Sequence, residues 1–133
     1  MNKLIRRSAI GSLSLAILAA GALSLPVGAA AKDGDVIRTG NCSAATDWKL
    51  KLSPENGRIE VEVEVDQNKV GKSWNVTLKR NGTTFWSGQR TTQAPSGSFT
   101  VRKLTNNGAG TDTISARAVN PNSGEVCQAT AQF

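Results

Sequence analysis

The sequence predicts an all-β protein, an antiparallel β-sandwich of seven or eight strands closed by one disulfide. Three observations carry this. Arg58 to Asp66, RIEVEVEVD, alternates Ile59, Val61, Val63 and Val65 with Glu60, Glu62, Glu64 and Asp66, which is the period of a half-buried strand. Further alternating stretches recur every 8–12 residues or so, separated by Gly, Pro and Asn turns, with no helical period beyond the N-terminal segment. Two cysteines, Cys42 and Cys127, stand near the two ends of the remaining chain.

Residues 1–31 form a different kind of segment. A basic start (Lys3, Arg6, Arg7) precedes an apolar run from Ala9 to Leu25, Pro26 and the small residues Gly28, Ala29, Ala30 and Ala31. That pattern is a secretory signal peptide. The run is too short and too interrupted by Gly and Ser to favour a membrane-spanning helix, and no cysteine follows closely enough to carry a lipid. Cleavage after Ala31 leaves a single domain, residues 32–133, released outside the cell without membrane insertion. Losing Lys3, Arg6 and Arg7 leaves 13 basic against 10 acidic residues. A net charge of +3 on interspersed signs is not the concentrated basic face of a nucleic-acid binder.

In an oxidising compartment an even cysteine count reads as a bridge, here Cys42 to Cys127, tying the first strand to the last. The first strand is Val36 to Ser43. The second is Trp48 to Leu52, with Trp48, Leu50 and Leu52 on one face and Lys49 and Lys51 on the other. Ser53 to Gly57 is read as the turn. Leu52 would then face Ile59, Leu50 Val61 and Trp48 Val63, with Lys51 against Glu60 and Lys49 against Glu62. Opposite charges across strands help to fix such a register.

Trp74, Val76 and Leu78 alternate into Asn81-Gly82, the strongest short hairpin signal, because a type I′ turn needs positive φ at both central residues. Pairing outward places Leu78 opposite Phe85 and Thr77 opposite Trp86, so Trp86 falls on the face away from Phe85, with Thr77 and Asn75. Ala94 to Gly97 turns into a strand of Phe99 and Val101 that Leu104 closes. A loop at Asn106 to Gly110 precedes Ile114, Ala116 and Ala118, and Asn120 to Gly124 turns into a last strand, Glu125 to Phe133.

From Trp74 onward the motifs Trp74-x-Val76-x-Leu78, Asn81-Gly82, Phe85-Trp86, Phe99-x-Val101, Ile114-x-Ala116-x-Ala118-x-Asn120 and Ser123-Gly124 resemble a fibronectin type III or immunoglobulin-like domain, and the resemblance implies an immunoglobulin-like arrangement of the sandwich. In style the whole chain resembles small secreted actinobacterial proteins. The chain has no tyrosine; where such domains carry a tyrosine corner, Asp112 or a neighbour stands.

There is no histidine, which excludes Ser-His-Asp and Cys-His activation and any His-ligated metal site. Oxidised Cys42 and Cys127 offer no thiolate, and no Gly-rich phosphate loop opens a helix. Glu60, Glu62 and Glu64 stand about 6.5–7 Å apart along one strand face, a spacing that a glycosidase pair could use; beside lysines on a solvated face they read instead as a charged ladder. Asp33-Gly34-Asp35 and Asp66-Gln67-Asn68 have too few oxygen ligands for a calcium loop. A lipid-facing barrel fails on Lys49, Lys51 and the glutamates.

The residues therefore predict a non-enzymatic binding or structural module of the cell exterior, with no cofactor, no metal and an extracellular protein or glycan as partner. The candidate contact residues are Trp86 with Thr77, Thr84, Asn75 and Arg90, with Lys79 in reach, since an exposed indole among hydroxyls stacks sugars or anchors proteins. On that reading Trp86→Ala abolishes binding and leaves the melting temperature nearly unchanged. Alternatives are an enzyme inhibitor presenting the loop Gln93 to Ser98 or Thr105 to Thr111, and an enzyme using Glu62. Oligomeric state and which strand edges stay free are not legible in the sequence.

Overall fold

A computed structural model describes residues 31–133. The signal-peptide reading concerns residues of which 1–30 lie outside the described ones. Within Ala31–Phe133 the chain forms eight strands: β1 (Val36–Asn41), β2 (Asp47–Glu55), β3 (Arg58–Asp66), β4 (Ser73–Arg80), β5 (Thr83–Thr91), β6 (Ser98–Asn106), β7 (Thr113–Val119) and β8 (Val126–Gln132). They make two antiparallel four-stranded sheets, ordered β1-β2-β3-β6 and β5-β4-β7-β8. The predicted all-β sandwich with one disulfide is the observed fold.

Alternation decides which side chains meet between the sheets. Leu50, Leu52, Ile59, Val61, Val63 and Val65 of the first sheet pack against Trp74, Val76, Leu78, Ile114, Ala116, Ala118, Ala129 and Ala131 of the second. Both sheets contribute large residues, from β2, β3 and β6 on one and chiefly from β4 on the other, while the buried alanines all belong to β7 and β8 of the second sheet. Trp74 is fully buried, and its indole Nε1 donates to Gln67 Oε1 at 2.9 Å. A buried ring nitrogen needs such a partner.

The β2–β3 register differs from the expected one by two residues. Leu52 faces Val61, Leu50 faces Val63 and Trp48 faces Val65, while Lys51 meets Glu62 and Lys49 meets Glu64. The physical reason is a tighter turn: β2 continues through Ser53, Pro54 and Glu55, and only Asn56 and Gly57, with φ of 50° and 76°, link it to β3. A two-residue slip keeps every side chain on its face, so the inward and charged rows hold the expected residues although each pair is different; the charged row is less solvated than expected, with Lys51 buried and Glu60, Glu62 and Glu64 half-buried. Leu104 also departs from expectation. Phe99, Val101 and Thr105 are buried while Leu104 is exposed, so Lys103, not Leu104, continues the inward row. Trp48, expected in the core, is half-buried at its margin, over Gly40 of edge strand β1.

The two long open sides of the sandwich are closed differently. On the β1/β8 side Cys42, just after β1, is bonded to Cys127 of β8. There the buried Glu125 carboxylate gathers the loop between β1 and β2, accepting from the Ala44 and Thr46 amides at 3.0 Å each and from Thr46 Oγ1 at 2.6 Å. At one end of the fold the buried Asp112 accepts from Arg80 Nε, Asn81 Nδ2 and the Gly108 amide, each at 2.9 Å. It thereby fixes the Asn81-Gly82 turn to the β6–β7 loop. The Gly108 amide, with Asn81 and Arg80, holds the Asp112 carboxyl below the usual carboxylate range against the opposing cost of burial.

Candidate binding surface

The β5/β6 side is built around Trp86. Arg80 pairs with Thr83 and Lys79 with Thr84, but beyond that point Leu78 faces Trp86 and Thr77 faces Ser87. Phe85 is the additional residue of a β-bulge, which shifts every later β5 side chain by one place. Trp86, Gly88 and Arg90 therefore share the inward face with Leu78, Val76 and Trp74. The expectation that Trp86 lies with Thr77 and Asn75 is corrected by this bulge: Asn75, Thr77 and Thr84 sit on the outer face of their sheet, and Trp86 and Arg90 do not.

Trp86 is half-buried and packs against the core. Its ring lies over Gly88, the only residue type that leaves it room there. The Arg90 guanidinium carbon is 4.9 Å from the ring centroid, and Lys103 Nζ, reaching from β6 in the other sheet, is 5.0 Å from it. One indole and two cations thus span the gap between the edge strands of the two sheets. Such contacts contribute about 0.5–1 kcal/mol each at exposed sites. Neither cation has a carboxylate within ion-pair distance among the described residues, whose ion pairs involve Lys32, Lys51, Arg80 and Arg102. Lys103 was missed in the sequence because Leu104 beside it looked like the core residue; the odd-numbered row Phe99, Val101, Thr105 is the signal that includes it. Its long stem can cover apolar surface while the ammonium reaches the rim.

The other candidates have separate surroundings. Thr77 lines a hollow of about 190 Å³ with Lys79, Ser115, Arg117 and Gln128 on the outer face of the second sheet. Glu60 and Glu62 are bridged by Arg102, at 3.5 and 2.8 Å. Lys51 is buried, with its ammonium 3.8 Å from Asp35. The Ser53 side chain, the Lys32 amide and Lys51 hold the Asp35 carboxyl below its ordinary value. Asp66 Oδ1 accepts from the Asn68 amide at 3.1 Å, an Asx turn. Among the described residues no group of three or more His, Cys, Asp or Glu side chains is placed to hold a metal ion, and no helix is long and apolar enough to cross a membrane. The Gln93–Ser98 loop is pinned at its base by Gln93 N to Ser98 O and Gly97 N to Gln93 O, both 2.8 Å, and to its neighbour by Gln67 N to Gly97 O at 3.0 Å.

No model of a protein family, no curated protein and no solved structure matches this chain.

Proposed function

We propose that the chain is an exported, non-enzymatic binding module whose contact surface is the β5/β6 side, and that its partner is an acidic polymer of the cell exterior, an acidic polysaccharide foremost. The observation that carries the reading is the pairing of Arg90 and Lys103, two cations without carboxylate partners, over one indole at the rim of a rigid sandwich. An indole edge between two cations suits the apolar ring and the carboxylate of a uronic acid residue, or a comparable anionic sugar. The disulfide is consistent with an extracellular location, and the leader-like composition of residues 1–31 supports export.

The strand order supports an immunoglobulin-like or fibronectin type III-like class. Lettering β2 to β8 as A to G gives A-B-E in one sheet and C-F-G in the other, as in immunoglobulin domains, with the fourth strand moved from beside E to beside C. β1 is then an addition at the A edge. The class specifies a scaffold and leaves the ligand to the surface residues.

The test is retention on immobilised polygalacturonate against neutral dextran, comparing the protein with the Arg90→Gln, Lys103→Gln double variant. Retention on the acidic polymer alone, lost in the variant, supports the reading. Equal retention of both proteins, or retention of neither, refutes it.

A further inference from the structure

Four strand edges border the two sheets, and three carry protection against pairing with another chain. β1 exposes Arg38, β5 is bulged and carries Arg90, and β6 carries Arg102 and Lys103. Charges and bulges at an edge are what discourages strand addition. The fourth, β8, has no charge, no proline and no break in its register with β7.

The direction of its free backbone groups follows from the ladder. Asp112 and Phe133 exchange both amide–carbonyl bonds at 2.9 Å, and the Asn120 amide donates to the Glu125 carbonyl. The odd-numbered residues from Glu125 to Phe133 therefore bond to the β7 side, and by alternation Val126, Gln128, Thr130 and Gln132 point their N–H and C=O groups away from it. Val126 is already engaged: its carbonyl accepts from the Ser43 amide at 2.8 Å and its amide donates to Ser43 Oγ at 2.9 Å. Gln128, Thr130 and Gln132 are exposed and, among the described residues, leave a row of three unpaired donors and three unpaired acceptors.

That row is self-complementary. Residues 128–132 read Gln-Ala-Thr-Ala-Gln, the same in both directions. A two-fold axis at Thr130 would set Thr130 opposite Thr130 of a second copy and Gln128 opposite Gln132, twice. Every outward amide would then meet an outward carbonyl, six bonds in all from three donors on each copy. Thr–Thr pairing is favourable across an antiparallel ladder, and no like charges face each other. The inward neighbours, Ala129 and Ala131, are small and already in the core, so close approach meets no bulky side chain.

We infer that β8 pairs with β8 of a second copy, joining the β5-β4-β7-β8 sheets of two molecules into one continuous eight-stranded sheet. The contact is isologous and closes on itself. It leaves β5 and β6 at the far edges, so a dimer would present two copies of the Trp86 surface and gain avidity on a repeating polymer.

Sedimentation velocity over a concentration series, on protein purified from cells expressing the full chain, tests this. The expected result is a monomer–dimer equilibrium. Thr130→Lys, which sets like charges face to face on the axis, should weaken it at least about tenfold with the monomer's melting temperature unchanged. Gln128→Glu with Gln132→Lys should preserve the dimer, because opposite charges then face each other twice, and should make it salt-sensitive. A protein monomeric up to its solubility limit overturns the inference. So does a dimer that Thr130→Lys leaves intact, which would place the contact on another face.

Discussion

Trp86 lies across Gly88 so closely that a β-carbon built on Gly88 would stand 2.6 Å from the indole Cζ2. The ring is held on one side by its own strand and approached by Arg90 and Lys103. Gly88→Ala must therefore displace it. The expected outcome is a loss of about 1 kcal/mol with a red-shifted tryptophan emission, checked by urea denaturation and fluorescence.

Trp86→Ala is not the clean binding probe that the sequence alone suggests. Because the ring packs on the core margin, its removal should lower stability by about 2 kcal/mol and lower the melting temperature. Arg90→Gln and Lys103→Gln, by contrast, keep the ring covered, and each should change stability by less than about 1 kcal/mol. Thermal denaturation of the three variants separates packing from recognition.

The Cys42–Cys127 bridge closes a sequence separation of 85 residues. Replacing both cysteines by alanine should cost about 4 kcal/mol through the freedom restored to the unfolded chain. Urea denaturation of the double variant checks this, with the Glu125 contacts expected to keep the fold intact.

Two carboxyls give a pH dependence. Asp112, held down by the Gly108 amide, Asn81 and Arg80, and Asp35, held down by the Ser53 side chain and the Lys32 amide, both have folded pKa values below their unfolded ones. Their stabilisation is complete above the unfolded value, about 3.9, and is lost as pH falls through the folded values. The melting temperature should be level on this account from neutral pH to about 5 and fall below about 4. Asp112→Asn should lower it at neutral pH and make the acid fall shallower.

The fold was legible because period-2 alternation survives local errors. Misplacing the β2–β3 turn by two residues changed every partner of Lys49 and Lys51 but moved no side chain to the other face. The candidate surface was less legible for the opposite reason. One additional residue, Phe85, reverses the faces beyond it, and nothing in Thr83-Thr84-Phe85-Trp86 marks a bulge. Arg90 and Trp86 remained together because both lie beyond the bulge; Thr77 and Asn75, on the unbulged partner, were separated from them. Asp112 and Glu125 could not be singled out by pattern, since their role depends on loops distant in sequence, Gly108 and Asn81 for one and Ala44 to Thr46 for the other.

The most direct test of the binding account is an amide and indole chemical-shift titration of the protein with polygalacturonate oligomers. The largest shifts should fall on the Trp86 indole N–H and the backbones of Arg90 and Lys103, and should weaken with added salt. Shifts concentrated on the outer-face hollow of Thr77 and Arg117, or an unchanged spectrum at saturating oligomer, would contradict it.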